Sequence, residues 1–271
     1  MTAEFKAKFP NWVYGDEDYT LCLSDDIDSL VACTAINVVK NWEVGHFYDF
    51  HNMYSTDSKD TRKAVGVDIA IQNGRTFDNH TVRLSKYSKV NPMSANPNVV
   101  YDISRENYNK KYALSTALLI WSLYDLDLPS TDDGKMMLMS IDSSFKGFYS
   151  GFKSVQTAWL EKMGLEEMIY LQERHRVEDF VEVKRRFKSS EKIYIDDNGI
   201  LQSDMQLAGI SDLLEMEIVL PDVEFDLRKQ FDRSSIELNP NREYSNFMIE
   251  EKYQPFSMAL TSKNTLQMTK F

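Results

Sequence analysis

The segment Tyr19 to Ala35, YTLCLSDDIDSLVACTA, constrains the fold more than any other stretch of this chain. Tyr19 to Leu23 is mostly apolar, β-prone and too short for a helix, and it reads as a buried strand. Three acids, Asp25, Asp26 and Asp28, follow where that strand must end. From Asp28 or Ser29 onward Leu30, Val31, Ala35, Val38 and Val39 recur at helical spacing, with a cap residue just before them. Strand, acidic turn and helix form the first half of a parallel β-α unit, and ligands bind at the carboxyl ends of such strands. The acids have two readings. One makes Asp26 or Asp28 a helix cap and the others solvated turn residues. The other gives them a divalent cation, because crowded carboxylates repel one another unless something positive joins them.

The remainder of the chain supplies further acids at comparable places. Gly45 to Phe50 is a second strand candidate, and Ala64 to Ile71 (AVGVDIAI) a third, apolar except for Asp68. An unpaired acid inside such a run is costly to bury, which puts Asp68 at a functional strand end or beside a cation. In Thr76-Phe77-Asp78-Asn79-His80 the histidine has an acid two residues before it, a common way of fixing an imidazole. Residues 85–107 are irregular, with Pro92, Pro97 and several Asn; Tyr108 to Asp125 predicts one long helix and Pro129 to Lys135 a turn. Met136 to Ile141 (MMLMSI) predicts another buried strand, ending in Asp142, with Lys146 close behind.

Residues 1–18 read as a surface arm, and Val155 to about Lys188 as helical, its second half so charged that His175 is taken as solvated. Beyond Ser190 short strand-like pieces (IYIDDNG, EMEIVLPD, NFMIEE) alternate with turns, and the last 16 residues predict a hairpin joined at Ser262 to Asn264. The expected organisation is an α/β domain over 1–165 with a mostly parallel sheet flanked by helices, a connecting helix over 166–190, and a smaller α+β region over 191–271.

At 271 residues, 42% hydrophobic and 27% charged, the chain has the composition of an ordinary globular protein. A net charge of −11 disfavours long nucleic acid, whose binding rests on phosphate neutralisation by Lys and Arg, and leaves small phosphorylated or nucleotide substrates open. Cys22 and Cys33, the only two cysteines, fall in the predicted buried strand and helix and read as reduced core residues. With no long apolar run and no basic-then-apolar N-terminus, a cytoplasmic protein without membrane contact is expected.

In a parallel sheet the carboxyl ends of all strands share one edge, so Asp26, Asp28, Asp68 and Asp142 are expected to meet there, with the Asp78–His80 loop nearby. Carboxylates with one imidazole suit Mn²⁺ or Mg²⁺. Two such ions activate a water and neutralise phosphoryl oxygens during in-line attack.

The order Asp26-Ile27-Asp28-Ser29, then Asp68, then Asp78-Asn79-His80, then Asp142-Ser143-Ser144-Phe145-Lys146 resembles the four motifs of the DHH phosphoesterase superfamily over roughly residues 18–165. That group contains family II inorganic pyrophosphatases, exopolyphosphatases, single-strand-specific exonucleases and nucleotide phosphodiesterases. The resemblance implies two metals held by Asp26, Asp28, Asp68, His80 and Asp142, with Asp68 as the bridge and metal-bound hydroxide as nucleophile. It gives Asn79 and Lys146 to phosphate and makes Asp78 the residue that orients its loop. Cys22 stands where many members carry a histidine, and Asn79 where the tripeptide usually has a metal-binding one. Either His80 reaches the metal instead or one metal site is weakened or lost. The family's glycine-rich histidine motif is absent from residues 190–271. Two alternatives follow: a catalytically inactive relative that binds a nucleotide or a protein partner, and a haloacid-dehalogenase-type phosphatase in which Asp26 attacks phosphorus.

Overall fold

The computed structural model describes residues 1–271. A short helix α1 (Ala3–Lys6) and a 3-10 turn over Asn11–Tyr14 open the chain. Phe5, Phe9, Trp12 and Val13 of this stretch are buried in the main core, so the expected surface arm is part of the interior. Its regularly recurring apolar side chains outweigh its turn-rich composition. β1 (Tyr19–Ser24) is buried throughout, and α2 (Ile27–Lys40) is capped by Asp26, whose carboxylate accepts from the Ser29 amide at 3.3 Å. Then come β2 (Val44–Tyr48), β3 (Asn52–Ser55), β4 (Lys63–Val67), β5 (Arg75–Phe77), β6 (Ser94–Ala95) and the short α3 (Pro97–Val100).

The expected helix over 108–125 is only α4 (Thr116–Leu123), capped by Ser115; the residues before it form a 3-10 turn and an open loop. Of the expected strand Met136–Ile141, Met136 to Ser140 lie in helix α5 (Asp132–Ser140), which Thr131 caps through the Gly134 amide, and Ile141 opens the 3-10 turn that follows. Met136 to Met139 are all buried because α5 packs against helices on several sides. A helix covered all round reads as a continuous apolar run, which periodicity cannot separate from a buried strand. The helical stretch after 153 is three helices, α6 (Lys153–Met163), α7 (Glu166–Arg174) and α8 (Val177–Arg186), the first ended by Gly164 at φ 67°. His175, taken as solvated, is half-buried between Asp132 and Asp179.

Past residue 190 come β7 (Ile193–Ile195), β8 (Leu201–Ser203), α9 (Leu207–Leu214), β9 (Asp226–Gln230), β10 (Asp232–Glu237), α10 (Asn246–Tyr253), β11 (Pro255–Leu260) and β12 (Thr265–Lys270). The expected terminal hairpin is β11–β12. NFMIEE is helix α10, capped by Ser245, and EMEIVLPD forms no strand.

The main sheet has the order β6-β5-β4-β1-β2-β3-β9, its first five strands parallel and β3 antiparallel to both neighbours. Helices flank it, and two small antiparallel sheets, β10-β12-β11 and β7-β8, complete an α/β protein. The main core runs from Phe5 to Phe225, on both sides of the boundary expected near 190; a smaller cluster gathers Leu238, Ile249, Met258, Leu260, Leu266 and Met268 with Leu84. No helix is long and apolar enough to cross a membrane. β1 lies between β2 and β4, so the chain leaves it in one direction through α2 and later returns to its other side. A crevice forms where strand order reverses in this way, at the carboxyl ends of β1 and β4.

Candidate functional site

β1 delivers Asp26 and Asp28 to that crevice, and β4 delivers Asp68 from its other side. β4 stops at Val67 because Asp68 turns into the left-handed region (φ 61°), with its amide donating to the Phe77 carbonyl at 2.8 Å. Aspartate is among the few side-chain-bearing residues that tolerate this conformation. Asp142 follows a helix rather than a strand, and it and Ser143 are also left-handed (φ 48° and 54°). The expected convergence on one edge therefore comes from two strand ends and one helix end.

Asp26, Asp28, Asp68, His80 and Asp142 line one cavity of about 220 Å³, together with Lys184, Ser189 and Lys192. Their surroundings differ. Asp28 is buried, and its two oxygens accept from the amides of Thr116 (2.8 Å) and Ala117 (2.7 Å) in the first turn of α4. It thus caps a second helix while belonging to α2, and the positive end of the α4 dipole faces it. Asp68 accepts from Thr116 Oγ1 at 2.9 Å through Oδ1, and its Oδ2 has no protein partner. Asp26 faces Lys192 at 3.4 Å, and Asp25 pairs with the same lysine at 2.9 Å.

Asp78 is fully buried behind His80 and lines neither of the two large cavities of the site. One of its oxygens sits 2.6 Å from His80 Nδ1 and the other accepts from Asn96 Nδ2 at 2.8 Å. With Nδ1 engaged, Nε2 of His80 is the nitrogen left without a protein partner. Asn79 does not point its amide nitrogen at a ligand: it donates to the Leu114 carbonyl at 3.0 Å and reaches Asp142 at 3.4 Å. Asn98 fastens the same loop, donating to the carbonyls of Asn79 (2.6 Å) and Tyr112 (3.1 Å) and accepting from the Tyr112 amide (2.7 Å). Asn96 and Asn98, from the irregular segment, are the scaffold of the site. Their sequence signal was a cluster of amide side chains around Pro97, which reads only as loop.

Burial, followed by the charges of Asp68, Asp142 and Asp26, pushes the Asp28 carboxyl well above the usual carboxylate range. Burial, then Asp26, Asp142 and Asp78, does the same to Asp68. Burial on its own would lower the His80 imidazole, but Asp78, Asp142 and Asp28 outweigh it and push it up to about 9. Lys184, half-buried with its ammonium donating to Ser143 Oγ at 2.9 Å, is held below its ordinary value by burial and by Lys146. This is an over-filled anionic pocket with lysines at its rim. It favours a cation among the acids and an anion against the lysines.

A second, larger cleft of about 740 Å³ shares His80 and Asp142 with the first and also includes Asn79, Lys146, Lys111 and Trp159. Lys184 and Lys192 were invisible in the sequence because each lies in a run of charges that reads as a solvated face. Cys22 lines neither cavity and packs with Tyr48, Ile69 and Phe231.

Comparison with family models, with curated proteins and with solved structures returns no match to this chain.

Proposed function

We propose that this protein is a divalent-metal-dependent phosphoesterase that hydrolyses a phosphoester or phosphoanhydride bond of a small phosphorylated substrate. The observation that carries this reading is the gathering of Asp26, Asp28, Asp68, His80 and Asp142 around one cavity whose rim holds Lys184 and Lys192. The donor set suits a hard divalent ion such as Mn²⁺ or Mg²⁺: carboxylate oxygens, one of them on Asp68 without a protein partner, and one imidazole nitrogen. Two ions would spread four positive charges over acids whose protons the pocket otherwise retains. Bound there, such ions lower the pKa of a water and neutralise charge building on phosphoryl oxygens.

The chain's own residues prepare the site. Asp78 holds the His80 ring through Nδ1, which leaves Nε2 without a protein partner. Thr116 fixes the rotamer of Asp68, and Asp28 fixes the helix that carries Thr116. Lys184 and Lys146 attract the anionic substrate, so that water adds across the P–O bond with phosphorus taking the water oxygen and the leaving group a proton. The resemblance to the DHH phosphoesterase superfamily is supported by the meeting of residues from its first, second, third and fourth motifs on this cavity. Asp78 orients the His80 ring with its carboxylate within 4.8 Å of the ligand atoms of Asp68 and His80, and Asn79 donates to the Leu114 carbonyl.

The test is Asp68→Asn, with bound Mn²⁺ measured by elemental analysis beside hydrolysis of bis(p-nitrophenyl) phosphate. Loss of both supports the reading, and unchanged Mn²⁺-dependent hydrolysis overturns it. The second reading, a relative that binds a nucleotide without hydrolysing it, is favoured by the engagement of Asn79 with a backbone carbonyl. Tight nucleotide binding with no turnover under any divalent ion would establish it. A trapped phosphate ester on Asp26 would point to the haloacid-dehalogenase type.

A further inference from the structure

The 740 Å³ cleft exceeds what a phosphoryl group needs and falls in the size range of sites that enclose a small organic ligand. It adjoins the carboxylate pocket across His80 and Asp142. Its charge is unlike that of the chain as a whole: in a protein of net charge −11, Asp142 is the one acid in the lining, against Lys111 and Lys146. Half of its apolar lining is aromatic, Tyr108, Tyr112, Phe152 and Trp159, and the other half aliphatic. Tyr112 and Trp159 are buried and meet edge-on at 5.4 Å, while Tyr108 carries Lys111 over its ring at 4.7 Å. Phe152 is different, 51% exposed on the cleft and stacked on no other ring. Two polar groups there also lack partners: the buried hydroxyl of Thr81, and the exposed side chain of Asn109, which hydrogen-bonds to nothing in the protein.

An occupant must therefore be anionic, present a flat apolar face and offer hydrogen-bonding edges. Inorganic phosphates have no flat face, and a lipid phosphate would bring methylenes to a lining of which only eight of twenty residues are hydrophobic. We propose that the cleft binds the nucleoside portion of a phosphorylated nucleoside, with the base stacked on Phe152 and the sugar-phosphate held by Lys111 and Lys146. Every nucleobase has a π face, so such a platform accepts bases without selecting strongly among them. The proposal rests on the hydrolytic reading only for the direction of the substrate, its reacting phosphoryl group lying at the carboxylates and its base in the cleft.

The experiment is isothermal titration of the full chain with AMP and with ribose 5-phosphate, with and without Mn²⁺, in wild type, Phe152→Ala and Phe152→Trp. Phe152 is exposed, so neither substitution removes core packing. AMP is expected to bind wild type about tenfold tighter than ribose 5-phosphate. Phe152→Ala should abolish that preference, and Phe152→Trp should retain it. Equal binding of the two probes, no binding of AMP, or an unchanged preference in Phe152→Ala overturns the proposal. A preference without any Mn²⁺-dependent phosphodiester hydrolysis removes the hydrolytic reading and leaves the base site standing. Hydrolysis without the preference does the reverse.

Discussion

Removing a negative charge from an over-filled acidic pocket should stabilise a metal-free protein, and Asp28→Ala is predicted to do the opposite. Asp28 accepts from the Thr116 and Ala117 amides at 2.8 and 2.7 Å, and every residue of α4 is buried, so without it the two amides at this helix start have no protein acceptor and meet solvent only through the site cavity. A buried donor left without a partner costs about 1–3 kcal/mol, hence about 2–6 kcal/mol for the pair. Against this stands the relief of repulsion with Asp68 and its neighbours, on the order of 2 kcal/mol for carboxylates several ångströms apart at an effective dielectric of about 20. Protons retained in the pocket already remove part of that repulsion, so the capping loss wins and the net destabilisation is about 1–4 kcal/mol. Urea unfolding at neutral pH in the presence of a chelator measures it, through a lower midpoint at unchanged slope. A variant as stable as wild type, or more so, would refute the capping role and leave Asp28 as one more repelling charge.

Asp142→Asn carries the opposite sign, because Asp142 faces the cleft and its one protein contact is Asn79 at 3.4 Å; the metal-free variant should be as stable as wild type or slightly more stable in the same urea titration, while binding less Mn²⁺. Thr116→Val removes the hydroxyl that holds Asp68 at 2.9 Å and should weaken Mn²⁺ binding by about tenfold or more, as loss of such supporting contacts does, with equilibrium dialysis as the check. Burial pushes the Cys22 thiol up to about 12, so labelling by iodoacetamide should stay slow between about pH 7 and pH 10. The folded chain holds that proton more tightly than the unfolded one, so the contribution is present below about pH 8.5 and lost as pH rises through about 12; alkaline unfolding should therefore be shallower with pH in Cys22→Ala.

What could be read from the sequence followed how local the determining interactions are. β1, its acidic turn and α2 rest on neighbouring residues, down to the Asp26 cap, and the structure has them nearly where the pattern puts them. β4 stops at Val67, before the left-handed Asp68, which an apolar run continuing to Ile71 cannot announce. MMLMSI reads as a strand but is helical, because its burial comes from helices distant in sequence. Asp142 nevertheless reaches the expected cavity, by a helix end in place of a strand end. The placement of Asp78 behind His80 was implicit in their two-residue spacing. That Asp28 would serve α4, about ninety residues away (|i−j| of 88 and 89), was not implicit in anything local.

The position of β9 at the edge of the main sheet bears on how the protein is made. β3 ends at Ser55 and its outer edge is paired only by β9, which begins at Asp226. On a ribosome adding about 5–20 residues per second, that edge stays open for roughly ten to thirty seconds after β3 emerges. A nascent or truncated chain ending before residue 226 would present unpaired backbone groups beside Met53 and Tyr54, an invitation to pair with another chain. Shielding during synthesis, and the vulnerability of any C-terminally shortened product to aggregation, both follow from closing the sheet with one of its last strands.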